Sequence, residues 1–192
     1  VVLLFATIFL VLGACANTNE ENKETTENTE NIEGNMDENM EGMDHSNMDM
    51  SSSGEVPEGL KVAENPTYKV GSEAIIESDH MAGMKGAEAT VVGAYDTTVY
   101  TISYTPTTGG EKVENHKWVI HEELQDAREA PLESGTEVTV NADHMEGMDG
   151  VTAEIDSAEQ TTVYMVDFTL TTGGKEVKNH KWVTEGELSP VE

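Results

Sequence analysis

An internal repeat constrains the fold more than any other feature of this sequence. Residues 72–124 and 136–188 align without a gap, and about half of the aligned positions are identical. Each copy is short, so it can form only a small hydrophobic core. The segment 126–134, which contains Pro131, separates the two copies. We therefore predict two tandem small domains, over residues 57–125 and 126–192.

Each copy has the composition of a small β domain. Short β-branched and aromatic stretches alternate with glycine-containing turns, as strands and hairpins require. In the first copy the predicted strands are 73–76, 87–92, 98–104 and 113–119, with a turn at 93–96, a hairpin at 107–110 and an acidic helical turn at 122–124. This order is similar to that of SH3-like barrels, including the KOW type. We predict an all-β fold with two tandem SH3-like or KOW-like β-barrels after a disordered N-terminal tether.

The N-terminal end predicts a lipid anchor. Residues 1–12 are an uncharged apolar run, which is too short to span a bilayer but suits the hydrophobic part of a signal peptide. The sequence Leu12-Gly13-Ala14-Cys15 resembles a bacterial lipobox. We expect residues 1–14 to be a signal peptide, truncated because no basic segment precedes the apolar run, and Cys15 to be lipidated. An ordinary signal peptide with an incidental cysteine is the alternative.

Residues 15–56 have the composition of a solvated tether. Asn, Glu and Thr predominate at first, and few apolar side chains are present to offset the entropy cost of ordering. Methionines then gather around one histidine, at Met36, Met40, Met43, His45, Met48 and Met50. Their spacing matches no single helical face. We expect a disordered segment that captures metal with low specificity, and low-complexity sequence without a role is the alternative.

The charge balance excludes one class of partner. The chain has 38 acidic and 10 basic residues and a formal net charge of −28. Binding to nucleic acid needs a basic surface, which this composition does not provide. Metal cations are favoured electrostatically, although acidic side chains also serve solubility alone.

Neither copy contains a catalytic motif. The sequence has no nucleophile elbow and no phosphate-binding glycine loop, and the HEEL segment at His121 lacks the second histidine of a zinc protease. His121 also has no counterpart in the second copy, so we expect a surface residue. We predict that the protein is not an enzyme.

The sequence HMxGM occurs once in each copy and is the main candidate site. Thioether sulfur is a soft, neutral donor that binds Cu(I) or Ag(I) better than Zn²⁺, Mg²⁺ or Ca²⁺, and imidazole also suits copper. The alternative is that the methionines fill gaps in a small core. Their spacing suits no strand face, and they recur while neighbouring residues differ, which favours metal. The predicted Cu(I) ligands are His80, Met81, Met84, His144, Met145 and Met148.

A second pair of histidines lies in the repeated sequence NHKWV. His116 and His180 precede Trp118 and Trp182, which we expect to pack in the barrels. A histidine in this position more often packs or forms hydrogen bonds. If the last strand lies beside the HMxGM loop, however, His116 and His180 can supply a fourth donor. The set of histidine, methionines and tryptophan is chemically similar to the site of a small periplasmic β-barrel copper chaperone.

Three longer motifs carry a family resemblance. The stretches DHMAGMKGAEAT, AYDTTVYTISYTPTTGG and NHKWVIHEEL resemble the YdhK family of Gram-positive lipoproteins. The resemblance covers about residues 57–188, together with the lipobox and the Met-rich tether. It implies a copper-binding lipoprotein on the outer face of the cell membrane, and it does not establish the ligands.

These features predict a membrane-anchored, extracytoplasmic Cu(I)-binding lipoprotein that acts in copper sequestration and tolerance. Silver is a second possible cargo, and a copper exporter or a multicopper oxidase is a possible partner. The competing hypothesis is a cell-surface interaction module that binds cell-wall glycan or peptide and has no metal role. Burial of Met81 and Met84 would favour that module, whereas sulfurs that converge with His80 would favour metal.

Overall fold

A computed structural model describes residues 50–191, and every regular element in this range is a β-strand or a short 3₁₀ turn. The predicted all-β class is therefore confirmed. No helix in this range is long and apolar enough to cross a membrane. The strands are β1 (Lys61–Val62), β2 (Glu73–Ile76), β3 (Glu88–Tyr104), β4 (Val113–Ile120), β5 (Leu124–Gln125), β6 (Glu137–Val140), β7 (Thr152–Thr169), β8 (Glu176–Thr184) and β9 (Leu188–Pro190), and the 3₁₀ turns are His121–Glu123 and Glu185–Glu187.

All nine described strands belong to one antiparallel, open sheet. Its main path runs β5-β6-β7-β3-β2-β9, with β1 and β4 paired to β3 and with β8 paired to β7. The two repeats are present as predicted, but their strands do not close into separate barrels. Instead the sheet is organised by the two long strands β3 and β7, which pair from Ala89↔Phe168 to Tyr104↔Ala153.

The predicted turn at 93–96 is wrong, because β3 continues through it. Gly93 lies at an irregularity within the strand, because the pairing register with β7 shifts between Val91 and Gly93. A Cβ at Gly93 would lie 2.8 Å from the ring of Tyr95. A glycine inside a strand commonly marks a bulge or a close approach of this kind, and here it makes room for an aromatic ring.

The two repeats exchange strands. The N-terminal part of β3 pairs with β2 and with the C-terminal part of β7, and β2 also pairs with β9. We call β2, β8, β9 and these parts of β3 and β7 the first half of the molecule. The second half is its counterpart, built from β4, β5, β6 and the remaining parts of β3 and β7. Each half therefore takes strands from both repeats.

The hydrophobic cores follow the halves rather than the repeats. The first core joins Ile76 and Val91 of the first repeat to Val166 and Val183 of the second. The second core likewise combines side chains of both repeats, most of them from the strands of the second half. A third cluster, which includes Trp118 and Trp182, contains side chains from both halves. Association of the two repeats is thus a condition for burying either core.

Candidate functional site

The two HMxGM segments form matching tight loops, between β2 and β3 and between β6 and β7. In each loop the second methionine donates a backbone hydrogen bond to the carbonyl of the first. Met84 donates to Met81 at 3.1 Å, and Met148 donates to Met145 at 3.2 Å. The spacing of the motif is therefore the spacing of a closed turn.

The central glycine fixes each loop against a hairpin of the other repeat. The carbonyl of Gly83 accepts a backbone hydrogen bond from Thr171 at 2.9 Å, and that of Gly147 accepts one from Thr107 at 2.9 Å. Both glycines have positive φ, 80° and 78°. A Cβ at Gly83 would lie 2.7 Å from Thr172 Oγ1. Because this position demands positive φ and close approach, glycine is the residue that fits it.

Three of the four loop methionines are buried. Met84 and Met148 are fully enclosed at 0 % exposure, and Met81 is 6 % exposed. Met145 is half-buried and accepts a hydrogen bond from the hydroxyl of Tyr104, with 3.9 Å between oxygen and sulfur. The thioethers therefore face the two cores rather than the solvent, which is the placement that packing requires.

Each loop histidine lies against a carboxylate from the opposite repeat. His80 Nε2 lies 2.8 Å from Glu187 Oε1. The indole of Trp118 donates to Glu187 Oε2 at 2.8 Å, and the backbone N–H and hydroxyl of Thr184 donate to the same oxygen at 3.0 Å. We call His80, Glu187 and Trp118 the first His–Glu–Trp cluster.

The second His–Glu–Trp cluster repeats this arrangement with deeper burial. His144 Nε2 lies 2.8 Å from Glu123 Oε1. The indole of Trp182 donates to both oxygens of Glu123, at 3.1 and 3.2 Å, and the backbone N–H of Ile120 donates at 3.1 Å. Glu123 is only 3 % exposed. Each cluster thus joins the two repeats through a multiply hydrogen-bonded carboxylate.

The hydrogen bonds determine the protonation of Glu187. Burial by itself would raise the pKa of this carboxyl group, but the hydrogen bond and charge of His80, with the donors on Thr184 and Trp118, lower the pKa to about 2. The hydrogen-bond donors favour the charged carboxylate, and their combined effect on its pKa is larger than the opposing effect of desolvation. Glu187 is therefore a carboxylate at neutral pH.

His116 and His180 lie in the two halves as buried, incompletely paired imidazoles. They are 7 % and 4 % exposed. Among residues 50–191, neither ring nitrogen of His116 has a hydrogen-bond partner, and Nε2 of His180 has none. Burial, followed by the charges of His144 and His80, lowers the pKa of His116 to about 3. Burial and His80 lower the pKa of His180 to about 4, against the opposing effect of a hydrogen bond to the backbone of Met50.

Each of these imidazoles contacts an aromatic ring near the methionines of its own half. The ring of His116 packs edge-on against Tyr104, with 6.0 Å between centroids, and it is the hydroxyl of Tyr104 that donates to Met145. His180 packs against Phe168 at 5.5 Å, and Phe168 shares the first core with Met81. In the second half Tyr104 thus connects His116 of β4 to the HMxGM loop, and in the first half Phe168 and Met81 belong to one core.

Some of the remaining candidate residues lie outside the described residues, and others lie within them. Cys15, Met36, Met40, Met43, His45 and Met48 lie outside residues 50–191. Met50 is described, and its side chain packs against the first core. His121 is half-buried, and its Nδ1 lies 3.0 Å from the hydroxyl of Tyr100. Within the described chain, no three His, Cys, Asp or Glu side chains are placed to hold a metal ion.

The two carboxylates at the centre of the clusters were not predicted. Glu123 and Glu187 are each the third residue of equivalent segments, HEEL and EGEL, and this recurrence was the signal available. We expected only an acidic helical turn there. Burial of these carboxylates depends on tryptophan and histidine donors that are distant in sequence.

Known proteins match most of this chain. A family model described as "Protein of unknown function (DUF1541)" matches residues 70–121 and 134–185, which are the two repeats. The "Uncharacterized protein YdhK" of Bacillus subtilis (strain 168) is 55 % identical over 187 residues, covering 97 % of this chain and 86 % of that protein. A crystal structure of a DUF1541 family protein (ydhK) from Bacillus subtilis is 65 % identical, with a TM-score of 0.72, and covers 76 % of this chain and 99 % of that one. A solution structure of the ydhK C-terminal domain is 67 % identical, with a TM-score of 0.60, and covers 63 % and 92 %.

Proposed function

We propose that this chain, which belongs to the family of proteins of unknown function DUF1541, binds Cu(I) outside the cell and acts in copper sequestration and tolerance. The lipobox-like sequence that ends at Cys15 supports a lipid anchor on the outer face of the membrane of a Gram-positive cell. A membrane copper exporter or a multicopper oxidase is the proposed recipient of the ion. Ag(I) uses the same donors, and no catalytic step is involved.

The observation that carries this function is a buried imidazole, unpaired within the described chain, whose neighbouring ring Tyr104 contacts a thioether. In the part of the chain that the structure describes, neither ring nitrogen of His116 has a hydrogen-bond partner. A buried polar group left unpaired costs about 1–3 kcal/mol, and an ion at the site is one of the few ways to offset this cost. Since its pKa is lowered to about 3, the ring is neutral at pH 7, which is the form that binds a metal.

The His–Glu–Trp clusters fit the same chemistry. A histidine that ligates a metal usually donates its other ring N–H to a carboxylate or a carbonyl, which sets the tautomer and the ring orientation. His80 and His144 each hold Nε2 at 2.8 Å from a carboxylate oxygen. This contact leaves Nδ1 as the nitrogen for a soft ion.

We therefore assign the proposed donors to one set in each half. Thioether and neutral imidazole together select a soft monovalent ion over harder divalent ions. The burial of the sulfurs in the cores would exclude water, and with it competing oxygen donors. The donors are His80, Met81, Met84 and His180 in the first half and His144, Met145, Met148 and His116 in the second, with weak capture by Met36, Met40, Met43, His45, Met48 and Met50 of the tether.

A competition titration tests this function. The chain from residue 16 onward, with the tether methionines replaced by leucine, is titrated with Cu(I) against a chromophoric chelator under reducing conditions. We expect it to compete for copper, and we expect Met→Leu changes in both HMxGM loops to lower the affinity about tenfold or more, which is at least about 1.4 kcal/mol. Leucine conserves volume, so the cores remain packed. No competition, or an unchanged affinity after these changes, would refute a copper role.

Met165 provides the matched control for that titration. It is buried at 5 % exposure in the third cluster, with Trp118 and Trp182, and belongs to neither donor set. Met165→Leu should therefore leave the Cu(I) affinity unchanged. A loss of affinity equal to that of the loop variants would mean that the effect is structural.

A second candidate function is supported by the burial of Met84 and Met148 at 0 % exposure. If these side chains serve only to pack the cores, the chain is a cell-surface module that binds cell-wall glycan or peptide. A pull-down with purified cell walls distinguishes the two. Retention on walls that is independent of copper, together with no competition for Cu(I), would favour the module.

A further inference from the structure

Residues 50–55 form a strap along the outer edge of β8 in the first half. The backbone N–H of Ser52 donates to the carbonyl of Lys178 at 2.9 Å, and the hydroxyl of Ser52 donates to the carbonyl of Asn179 at 2.7 Å. Met50 packs against the first core, and its backbone hydrogen-bonds to His180. The strap thus covers a strand edge and partly satisfies a buried imidazole, as an added strand does in peptide recognition.

The edge of β4 offers the same features in the second half. Asn115 has φ 51° and Asn179 has φ 52°, so both strands bend in the same way. Lys117 is the counterpart of Lys181, whose ammonium group donates to the carbonyl of Glu55 in the strap. Among residues 50–191, however, β4 pairs only with β3. The backbone edge that the strap occupies on β8 is therefore uncovered on β4 by the described chain.

A cavity of about 160 Å³ lies at the start of β4, where Val113 forms part of its lining. Tyr104, Val113 and Met145 line it. Their counterparts Phe168, Val177 and Met81 belong to the first core, against which Met50 packs. The cavity is thus lined by the counterparts of three members of the core against which Met50 packs in the first half. A flexible thioether suits an irregular apolar space of this kind.

We infer that residues 39–49 of this chain dock on the β4 edge as a second strap and place a methionine in the cavity. This segment lies outside the described residues and leads directly into the first strap. It contains Met40, Met43 and Met48 and a serine, Ser46. Covalent linkage gives it a high effective concentration at the second half, and its eleven residues can extend about 36 Å from the first strap. Docking here requires no metal and is independent of the proposed copper function.

Paramagnetic relaxation in the full chain tests the docking. Cys15→Ser removes the only cysteine, and Ser46→Cys then carries a nitroxide label. We expect strong broadening of the Met145 methyl signal that is lost when Glu146→Trp fills the mouth of the cavity. The matched variant Ala82→Trp, at the equivalent position of the first half, should keep the broadening at Met145. Absence of broadening, or broadening that Glu146→Trp does not remove, would overturn the inference.

A second variant and a mixed sample complete the test. Lys117→Gln should reduce the broadening at Met145 more than Lys181→Gln does, and this comparison stands even if Glu146→Trp fails to fold. In a mixture of spin-labelled chains and separate isotope-labelled chains, no broadening should appear. Broadening that appears only in the mixture would assign the site to a second copy and would also overturn docking within one chain.

Discussion

The two halves of the molecule have one framework but differ in what covers them. In the first half the strap at residues 50–55 lies on β8, and His180 hydrogen-bonds to its backbone. In the second half His116 has no partner at either nitrogen within residues 50–191, and a cavity remains beside Met145. Duplication has thus produced two similar groups of histidine and methionine side chains in different surroundings. Comparing the halves therefore separates the contribution of the shared sheet from that of the strap.

The largest expected effect concerns the carboxylates that join the repeats. Glu123→Ala should destabilise the chain by about 3–5 kcal/mol, because it leaves the donors of His144 and Trp182 buried without an acceptor. Glu187→Ala should cost less, about 1–3 kcal/mol, since the side chain of Glu187 is 14 % exposed and that of Glu123 is 4 % exposed. Urea unfolding measures both. Equal losses would show that the two clusters contribute equally.

The pH dependence of Glu187 sharpens this contrast. Its folded pKa of about 2 lies below the ordinary value of 4.5. The stability that it contributes is therefore present above pH 4.5 and is lost as the pH falls from there toward 2. Glu187→Gln should reduce the dependence of the unfolding free energy on pH within this window. Exposed Glu133→Gln is the control and should leave the pH profile as it is.

The next effect concerns the buried imidazoles. Their folded pKa values, about 3 for His116 and about 4 for His180, lie below the ordinary 6.5, so the unfolded chain takes up protons first as the pH falls. Each histidine should therefore reduce stability by about 2 kcal/mol between pH 7 and pH 5.

Phenylalanine variants separate the two imidazoles. His116→Phe and His180→Phe should each remove the loss of stability that the replaced histidine causes between pH 7 and pH 5. Thermal or urea unfolding at the two pH values measures this. His121→Phe is the control, since His121 lies outside both cores. The loss due to His180 should end near pH 4, whereas that due to His116 should continue to about pH 3. A pH profile that neither substitution changes would contradict the burial of neutral rings.

The smallest effect concerns the strap. Met50→Ala should cost about 1 kcal/mol, because Met50 is only partly buried against the first core. Hydrogen exchange should become faster at Lys178–Asn179 on β8 while the equivalent positions 114–115 on β4 remain unchanged. A similar increase on both strands would show that the strap acts on the whole sheet rather than on one half.

Local pattern was sufficient to predict much of the fold. The strands Glu73–Ile76 and Glu137–Val140 and the acidic turn after β4 lie where alternation and composition placed them. The turn predicted at 93–96 failed because glycine marks both turns and bulges, and only the ring of Tyr95 over Gly93 distinguishes the two. The distinction depends on a packing contact that periodicity does not contain.

The exchange of strands between the repeats lay beyond sequence reasoning for a related reason. The two copies are similar enough that β2 could pair with the same strands of either copy, and alternation does not select between them. The carboxylates were missed for a comparable reason, because an acidic residue in a polar turn usually faces solvent. Glu123 is buried only because Trp182 and His144 supply donors from the other repeat.

The imidazole nitrogens of His116 and His180 provide the most direct test of the proposed metal function. The measurement is ¹⁵N NMR of the histidine side chains in the full chain during titration with Ag(I), which stands in for Cu(I) and does not oxidise. Binding in the cores predicts large shifts of the ring nitrogens of His116 and His180 while His121 remains unchanged. If Ag(I) moves only tether signals and leaves both buried rings as they were, the two halves do not bind the metal.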